Sequence, residues 1–277
     1  LGCAWRCGRS RSSAIATLTA GSRPPRPSGL TTALTFGWRA MLKIKHVPEQ
    51  LGDAIFIPVL FTVMFTYLFG GALAGSTGEY LQSLLPGTLV LSVLLITGFA
   101  ASNINSDITS GVIDRFRSMP VWRPAYIVGG LLGDVVRNVL AATLVITLGL
   151  AMGFRPGGGA AGVALAVALL LVFAFGLSWV WTTLGMILRS PNSVTLASFF
   201  VQFPLTFASN VFVDPQTMPG WLRAFVEVNP VSHLVTAVRG LVHGTPDAGK
   251  IGLVLVAAAV LVAVFAPLTM RLYRSRT

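Results

Sequence analysis

Long apolar runs dominate this sequence, and their length limits the folds open to it. Six such runs lie at about 54–74, 84–103, 127–153, 161–188, 194–213 and 251–270. A helix needs about 20 mostly apolar residues to cross a hydrocarbon core of about 30 Å. The runs therefore predict an all-α integral membrane protein with six transmembrane helices. No run carries a charge in its middle, since Asp134 and Arg137 lie in the first turns of the third.

The composition excludes an ordinary soluble enzyme. Only 10% of the 277 residues are charged and 54% are hydrophobic, whereas soluble domains carry about 25% charged residues. A disordered chain would need the opposite balance. The two cysteines, Cys3 and Cys7, lie close together near the start, which excludes a disulfide-built fold or a cysteine metal framework.

The excess of positive charge predicts the orientation of the chain. A net charge of +11 can indicate a nucleic-acid partner, but here the basic residues occupy short segments between apolar runs. They are therefore expected at a membrane surface, with no nucleic acid bound. Fifteen of the 20 Lys and Arg residues fall in the two terminal segments, the second-to-third connection and the fourth-to-fifth turn. By the positive-inside rule both termini are predicted to be cytoplasmic.

Two regions differ in composition. Residues 1–28 are rich in Arg, Ser, Gly and Pro and have no apolar period, so they are predicted to form a disordered arm. Residues 29–277 are predicted to form one transmembrane domain. Residues 14–20 are too weakly apolar for a signal-peptide core.

The motifs that would supply an energy source or a catalytic site are missing from the sequence. The stretch Gly244–Lys250 (GTPDAGK) matches a phosphate-binding loop, but Ile251 follows in place of the Ser or Thr that binds magnesium, so we interpret the match as accidental. The nine acidic residues lie in connections or near run ends, unlike the deep carboxylates of ion-coupled carriers. We therefore expect no catalytic residue, cofactor or metal in this chain, and an energy source in a partner protein.

The connection after the second run has the pattern of a docking helix. Gly111–Met119 predicts a short helix with Val112, Ile113 and Phe116 on one side, ended by Pro120. Such a helix can lie flat on the membrane and enter a groove of a soluble partner. The alternative is a basic loop that only sets the topology.

A second short helix is predicted before the last run. Apolar residues recur at helical spacing from Met218 to Val226, in a helix that Pro215 and Pro219 start and Pro230 ends. This stripe consists of Met218, Trp221, Leu222, Phe225 and Val226. The helix is too short to cross a bilayer, so we expect it to lie in the interface or dip back into the membrane. The alternative is an exposed loop without function.

The fifth run offers candidates for the lining of a transport pathway. They are predicted near one helical face and comprise Phe199, Gln202, Phe203 and Phe207. An aromatic wall with few polar groups suits amphiphilic ligands, although ordinary packing also explains such stripes. An amide at this depth needs a partner on another helix, which singles out Gln202.

These features together resemble the membrane subunits of type-2 ABC exporters, specifically the daunorubicin-resistance permease class. The resemblance extends from about Leu30 to Arg274 and includes a Trp- and Arg-containing segment before the first run and a proline inside that run. It also includes Gly111, Pro120 and Arg123. The most specific piece precedes the last run and carries, in the order of the family, Pro219, Trp221, Asn229, Pro230 and Arg239.

The resemblance implies roles for three segments. The first is an interfacial elbow helix with Trp38, Arg39 and Lys43, and the third is a re-entrant hairpin over 214–229 that closes the outer end of the pathway. The second, between them, is a coupling region that sits on an ATPase and comprises Asp107, Gly111, Asp114, Arg115, Arg117, Pro120 and Arg123. Family members often have glutamates beside the glycine of this region, where this chain has aspartates.

The resemblance also implies the function. The chain would be a permease in the bacterial cytoplasmic membrane that exports amphiphilic drugs or antibiotics. A separate nucleotide-binding subunit would hold ATP and Mg, and a second permease copy or paralogue would complete the pathway. The alternatives are a permease for a lipid-linked glycan or glycolipid, an ATP-independent channel or secondary carrier, and, least favoured, an intramembrane enzyme.

Overall fold

A computed structural model describes residues 48–110, 125–212 and 219–275, which form eight α-helices and no strand. In chain order these are α1 Pro48–Ala74, α2 Thr77–Thr109, α3 Ala125–Ala151, α4 Gly159–Ile187, α5 Pro191–Phe207, α6 Gly220–Val228, α7 Pro230–His243 and α8 Ala248–Ser275. The predicted arm, the elbow helix and the coupling residues from Gly111 to Arg123 lie outside the described residues.

Four helices are long and apolar enough to cross a membrane. They are α2, α4, the Val128–Ala151 part of α3 and the Ala248–Tyr273 part of α8. They coincide with the second, fourth, third and sixth predicted runs. The secondary structure of the described residues is thus all helical, as the apolar runs predict, and the four long helices are consistent with a membrane protein.

The other two predicted runs fall on α1 and α5. Helix α1 has 27 residues, and α5 has 17 residues. At about 1.5 Å per residue α5 is about 25 Å long, less than a typical hydrocarbon core. The fifth run was predicted to continue to Val213, but the helix ends at Phe207. The side-chain amide of Asn229 binds the carbonyls of Leu205 and Ala208 at this end.

The second helix is the centre of the bundle. It packs against α1, α3, α4, α5 and α7, whereas α8 packs on α4 and α7. The largest apolar cluster lies where α2, α4 and α7 meet, and Leu85, Leu89, Leu170 and Leu234 are almost fully buried there. We call the end of the bundle where α2 begins the hairpin end, because α6 and α7 lie there. We call the end where α2 stops the connection end.

A glycine lets α4 and α7 come into close contact. A Cβ atom built on Gly162 would overlap the carbonyl oxygen of Leu241 in the last turn of α7. The amide of Gly158, just before α4, also donates a 2.8 Å hydrogen bond to the carbonyl of Val242. The glycine-rich stretch at the start of α4 therefore packs directly against the end of α7.

Replacing Gly162 by Ala is expected to destabilise the bundle. The added methyl group has no space against the α7 backbone, and such overpacking costs about 1 to 3 kcal/mol. The thermal midpoint of the purified protein in detergent measures the effect. The matched control is Gly252→Ala in α8, where nothing lies within 4 Å of the added atom. Equal midpoints for the two variants would contradict the close contact of α4 and α7.

Candidate functional site

The hairpin end is built around α7, a buried helix that the sequence patterns did not single out. Its buried apolar side chains are Val231, Leu234, Val235, Ala237, Val238, Leu241 and Val242. Asn229 and Pro230 open it, and Gly244 closes it at a φ of 81°. These are ordinary start and stop signals. The signal was therefore present, but the segment was interpreted as one outer piece with a single amphipathic helix.

Asn229 joins three helices through one amide group. Its Nδ2 atom donates to the carbonyls of Leu205 (2.8 Å) and Ala208 (2.9 Å), at the end of α5. Its Oδ1 atom accepts from the amide of Val231 (2.9 Å) and so caps the start of α7. The side chain is buried, with the residue 3% exposed. Asn229 thereby satisfies backbone groups that would otherwise lack partners at two helix ends.

Other α7 side chains bind the backbone of α2 and of the turn after α5. The Nη2 atom of Arg239 donates to the carbonyls of Ser83 (3.0 Å) and Asn210 (3.2 Å). The Nε2 atom of His243 lies 3.1 Å from the carbonyl of Gln82. The Nδ2 atom of Asn210 in turn donates to the Thr236 hydroxyl at 2.9 Å. We call the four α7-side residues Asn229, Thr236, Arg239 and His243 the hairpin network. They hold the hairpin on the bundle.

The stretch that matches a phosphate-binding loop is a link between α7 and α8. Gly244 ends α7, and the carboxylate of Asp247 accepts from the amides of Gly249 (2.9 Å) and Lys250 (3.2 Å) at the start of α8. The ammonium of Lys250 lies 3.4 Å from Nδ1 of His233. Burial, and then the Lys250 charge, lower the pKa of His233. The imidazole is therefore neutral at neutral pH, which avoids repulsion between two positive charges.

The helix α6 leaves most of its apolar stripe exposed. Trp221 is 76% exposed and Phe225 is also exposed, whereas Val226 is buried. Arg223 and Glu227 form an exposed ion pair at 3.1 Å. An exposed tryptophan at the end of a membrane bundle is typical of the lipid headgroup region. The predicted helix between the two prolines is present, and Met218 lies outside the residues that the structure describes.

The fifth helix divides its pathway candidates between two faces. Gln202 is buried, and its Nε2 atom donates to the carbonyl of Leu94 on α2. Phe199, Phe203 and Phe207 are exposed on the neighbouring face. The amide thus has the partner on another helix that its depth requires, and it does not lie among the aromatic rings.

The exposed phenylalanines continue into a chain of stacked and tilted rings that reaches α1. Successive ring centroids are 5.6 Å apart for Phe199 and Phe203, 4.2 Å for Phe203 and Phe207, and 5.4 Å for Phe207 and Phe212. Phe212 then stacks on Phe65 at 4.9 Å. We call these five residues the aromatic ladder. Aromatic faces bind planar apolar groups and attract cations, so this surface suits an amphiphilic cation.

Charged groups within the spans are few among the described residues. Asp134 and Arg137 form a buried ion pair one turn apart on α3. Asp107, in the last turns of α2, is the described member of the predicted coupling region. Within 48–110, 125–212 and 219–275, no three His, Cys, Asp or Glu side chains come together in a way that would hold a metal ion.

The sequence was compared with known proteins. Residues 32–243 match the family described as ABC-2 type transporter. The chain is 51% identical over 259 residues to the daunorubicin resistance ABC transporter permease protein DrrB1 of Streptomyces coeruleorubidus, covering 94% of this chain and 92% of that protein. It is 25% identical over 228 residues to the probable doxorubicin resistance ABC transporter permease protein DrrC of Mycobacterium tuberculosis, covering 81% and 82%.

Replacing Asn229 by Ala is expected to loosen the hairpin end. The change removes the partners of two carbonyls and one amide, and an unpartnered buried polar group costs about 1 to 3 kcal/mol. Thermal unfolding in detergent is the measurement, with Asn192→Ala as the control because Asn192 is an exposed asparagine on α5. A midpoint for Asn229→Ala equal to that of the control would contradict the assigned bonds.

Proposed function

This chain belongs to the ABC-2 type transporter family, and we propose that it is the permease subunit of an ATP-driven exporter of amphiphilic drugs. The observation that carries the proposal is the 51% identity, over 94% of the chain, to a daunorubicin resistance permease. A second relative named for doxorubicin resistance, at 25% identity, supports the same substrate class. Both names refer to planar aromatic drugs with a basic amine, the ligand type that the aromatic ladder suits.

In this proposal the chain crosses the bacterial cytoplasmic membrane six times, with both termini in the cytoplasm. Four helices meet the length of a span, and α1 and α5 run antiparallel to α2 and supply the other two. The shortness of α5 is offset by the turn after it and by the hairpin, which together fill the outer leaflet. The hairpin end is then the outer end, and the connection end faces the cytoplasm, where most of the Lys and Arg residues lie.

The energy source in this proposal is a separate ATPase subunit that binds ATP and Mg. It contacts the connection over 111–124, in which Asp114, Arg115 and Arg117 supply charges and Pro120 ends the helix. A second permease copy or a paralogue completes the pathway. Nucleotide binding displaces the connection and alternates the access of the pathway between the two sides. The permease itself hydrolyses no ATP, because its one match to a phosphate-binding loop is the α7–α8 link.

The aromatic ladder is proposed as the wall of the pathway. Three of its rings, Phe199, Phe203 and Phe207, are exposed in the single chain, so they are open to a ligand or to the facing copy. The bonded amide of Gln202 lies behind the ladder and holds α5 against α2. In this arrangement the rings bind the planar part of the drug, while the rigid helix behind them keeps their spacing.

Replacing Phe203 by Ala is expected to weaken drug transport. It removes a ring of the ladder that contacts both Phe199 and Phe207. An aromatic contact of about 1.4 kcal/mol corresponds to about a tenfold rise in the drug concentration for half-maximal transport. ATP-dependent drug accumulation in inverted vesicles that contain the permease and its ATPase measures this. Phe200→Ala is the control, since Phe200 is 76% exposed on the same helix and lies outside the ladder. Equal effects of the two changes would contradict the assignment of the ladder.

Deleting 111–120, or replacing Asp114 by Lys, is expected to abolish ATPase association and export while membrane insertion is retained. The reason is that the docking helix, or a charge that orients it, is lost. Co-purification of the tagged ATPase from detergent extracts is the measurement. The control is Glu79→Lys, an exposed acidic residue at the other end of α2. Normal co-purification after the deletion would refute the coupling assignment.

A further inference from the structure

An asparagine near the connection end holds α2 and α4 together. The Nδ2 atom of Asn105 donates to the carbonyls of Gly185 and Leu188, both at 2.7 Å. These carbonyls belong to the last turn and the C-cap of α4, where no further helical amide follows to bind them. Asn105 is 1% exposed, so the two bonds are shielded from water. The amide therefore fixes the end of α4 to α2.

Three further contacts surround this amide. A Cβ atom on Gly185 would lie 2.6 Å from the carbonyl of Ala101, so the α2 and α4 backbones touch there. The hydroxyls of Ser102 and Thr195 lie 2.7 Å apart and join α2 to the start of α5. Ala101, Trp181 and Val194 form a buried apolar cluster between the three helices. We call Asn105, with the Ser102–Thr195 pair and the Gly185 contact, the connection-end latch.

The latch lies directly before the segment that receives the energy of ATP in the proposed function. The α2 helix ends at Thr109, four residues beyond Asn105, and the chain then enters the connection over 111–124. The turn between α4 and α5, which the latch holds, leads directly into α5. Three rings of the aromatic ladder lie on α5. A displacement of the connection thus reaches the start of α5 through the latch.

The remaining contacts between α2 and α5 show that the two helices are joined along their length. Gln202 binds the carbonyl of Leu94 near the middle of α2. At the hairpin end the backbone of Val211 lies against Gly87, where an added Cβ would be 2.5 Å from the Val211 carbonyl. Without the latch, α5 stays attached at these two levels, but the α4–α5 turn is no longer held to the end of α2.

Resting on the function proposed above, we propose that Asn105 is a positioning residue for transport. It makes the ends of α2, α4 and α5 move as one unit when the ATPase displaces the connection. A residue with this role sets how much drug moves for each ATP hydrolysed. A residue that only stabilises the fold changes the amount of active protein and leaves that ratio unchanged.

The test is the ratio of drug transported to ATP hydrolysed in inverted vesicles that contain the permease with its ATPase. Asn105→Ala is expected to lower this ratio about tenfold, because the loss of two hydrogen bonds shifts the latched population by about that factor. ATPase association and hydrolysis are expected to remain. Asn105→Gln, which keeps the donor, should recover part of the ratio.

The matched control is Asn138→Ala in α3. Like Asn105, Asn138 is 1% exposed and has a buried Oδ1 atom without a partner. It takes no part in the latch, so the ratio should stay within about twofold of the wild-type value. A loss of equal size in Asn138→Ala would overturn the proposal, as would an unchanged ratio in Asn105→Ala.

A cross-link tests the same proposal without removing Asn105. Ser102→Cys with Thr195→Cys, in a chain whose Cys3 and Cys7 are replaced by Ser, places two thiols where the hydroxyls now meet. Because the latch moves as one unit, the disulfide is expected to leave the transport ratio unchanged. Loss of transport on oxidation, reversed by reductant, would overturn the proposal. The wild-type arm reports the proposed function separately, since absence of ATP-dependent transport there overturns that function and the proposal with it.

Discussion

The arrangement of this bundle depends on one constraint, that a carbonyl at a helix end inside an apolar environment needs a hydrogen-bond donor. An unpartnered backbone group in lipid costs several kcal/mol. Asn229 supplies the donor for the end of α5 and Asn105 for the end of α4. Arg239 donates to the carbonyl of Asn210 in the turn after α5 and also binds the carbonyl of Ser83 on α2. In each case the donor and the carbonyl lie on different elements of the chain. Satisfying the backbone therefore also fixes which helices are neighbours.

The apolar runs alone predict the fold class and the four described helices that are long and apolar enough to cross a membrane, because a bilayer-length run has few other structures open to it. They do not predict where α5 ends, since the fifth run continues to Val213 whereas the helix ends at Phe207, where Asn229 binds its last carbonyls. The burial of α7 was not predicted, because its residues were included in one outer segment with a single amphipathic helix. Periodicity placed Gln202 with the phenylalanines, although it lies on the adjacent face, which contacts α2. Which face of α5 is buried depends on the position of α2. The spacing of residues along one helix does not contain this information.

In the proposed transport cycle these contacts act at the two ends of the bundle. At the connection end, the latch ties α2 to the α4–α5 turn, next to the segment that meets the ATPase. At the hairpin end, the hairpin network holds α7 on α2 and α5. The aromatic ladder lies between them, on a helix fixed at both ends. A permease without a site for its own energy source needs this continuity, because movement generated at one face must reach the drug.

The most direct measurement is drug accumulation in liposomes that contain purified permease, with and without its ATPase. The account predicts accumulation only when the ATPase, ATP and Mg are all present, and none when an ion gradient replaces ATP. Accumulation by the permease alone, driven by a proton or sodium gradient, would contradict it.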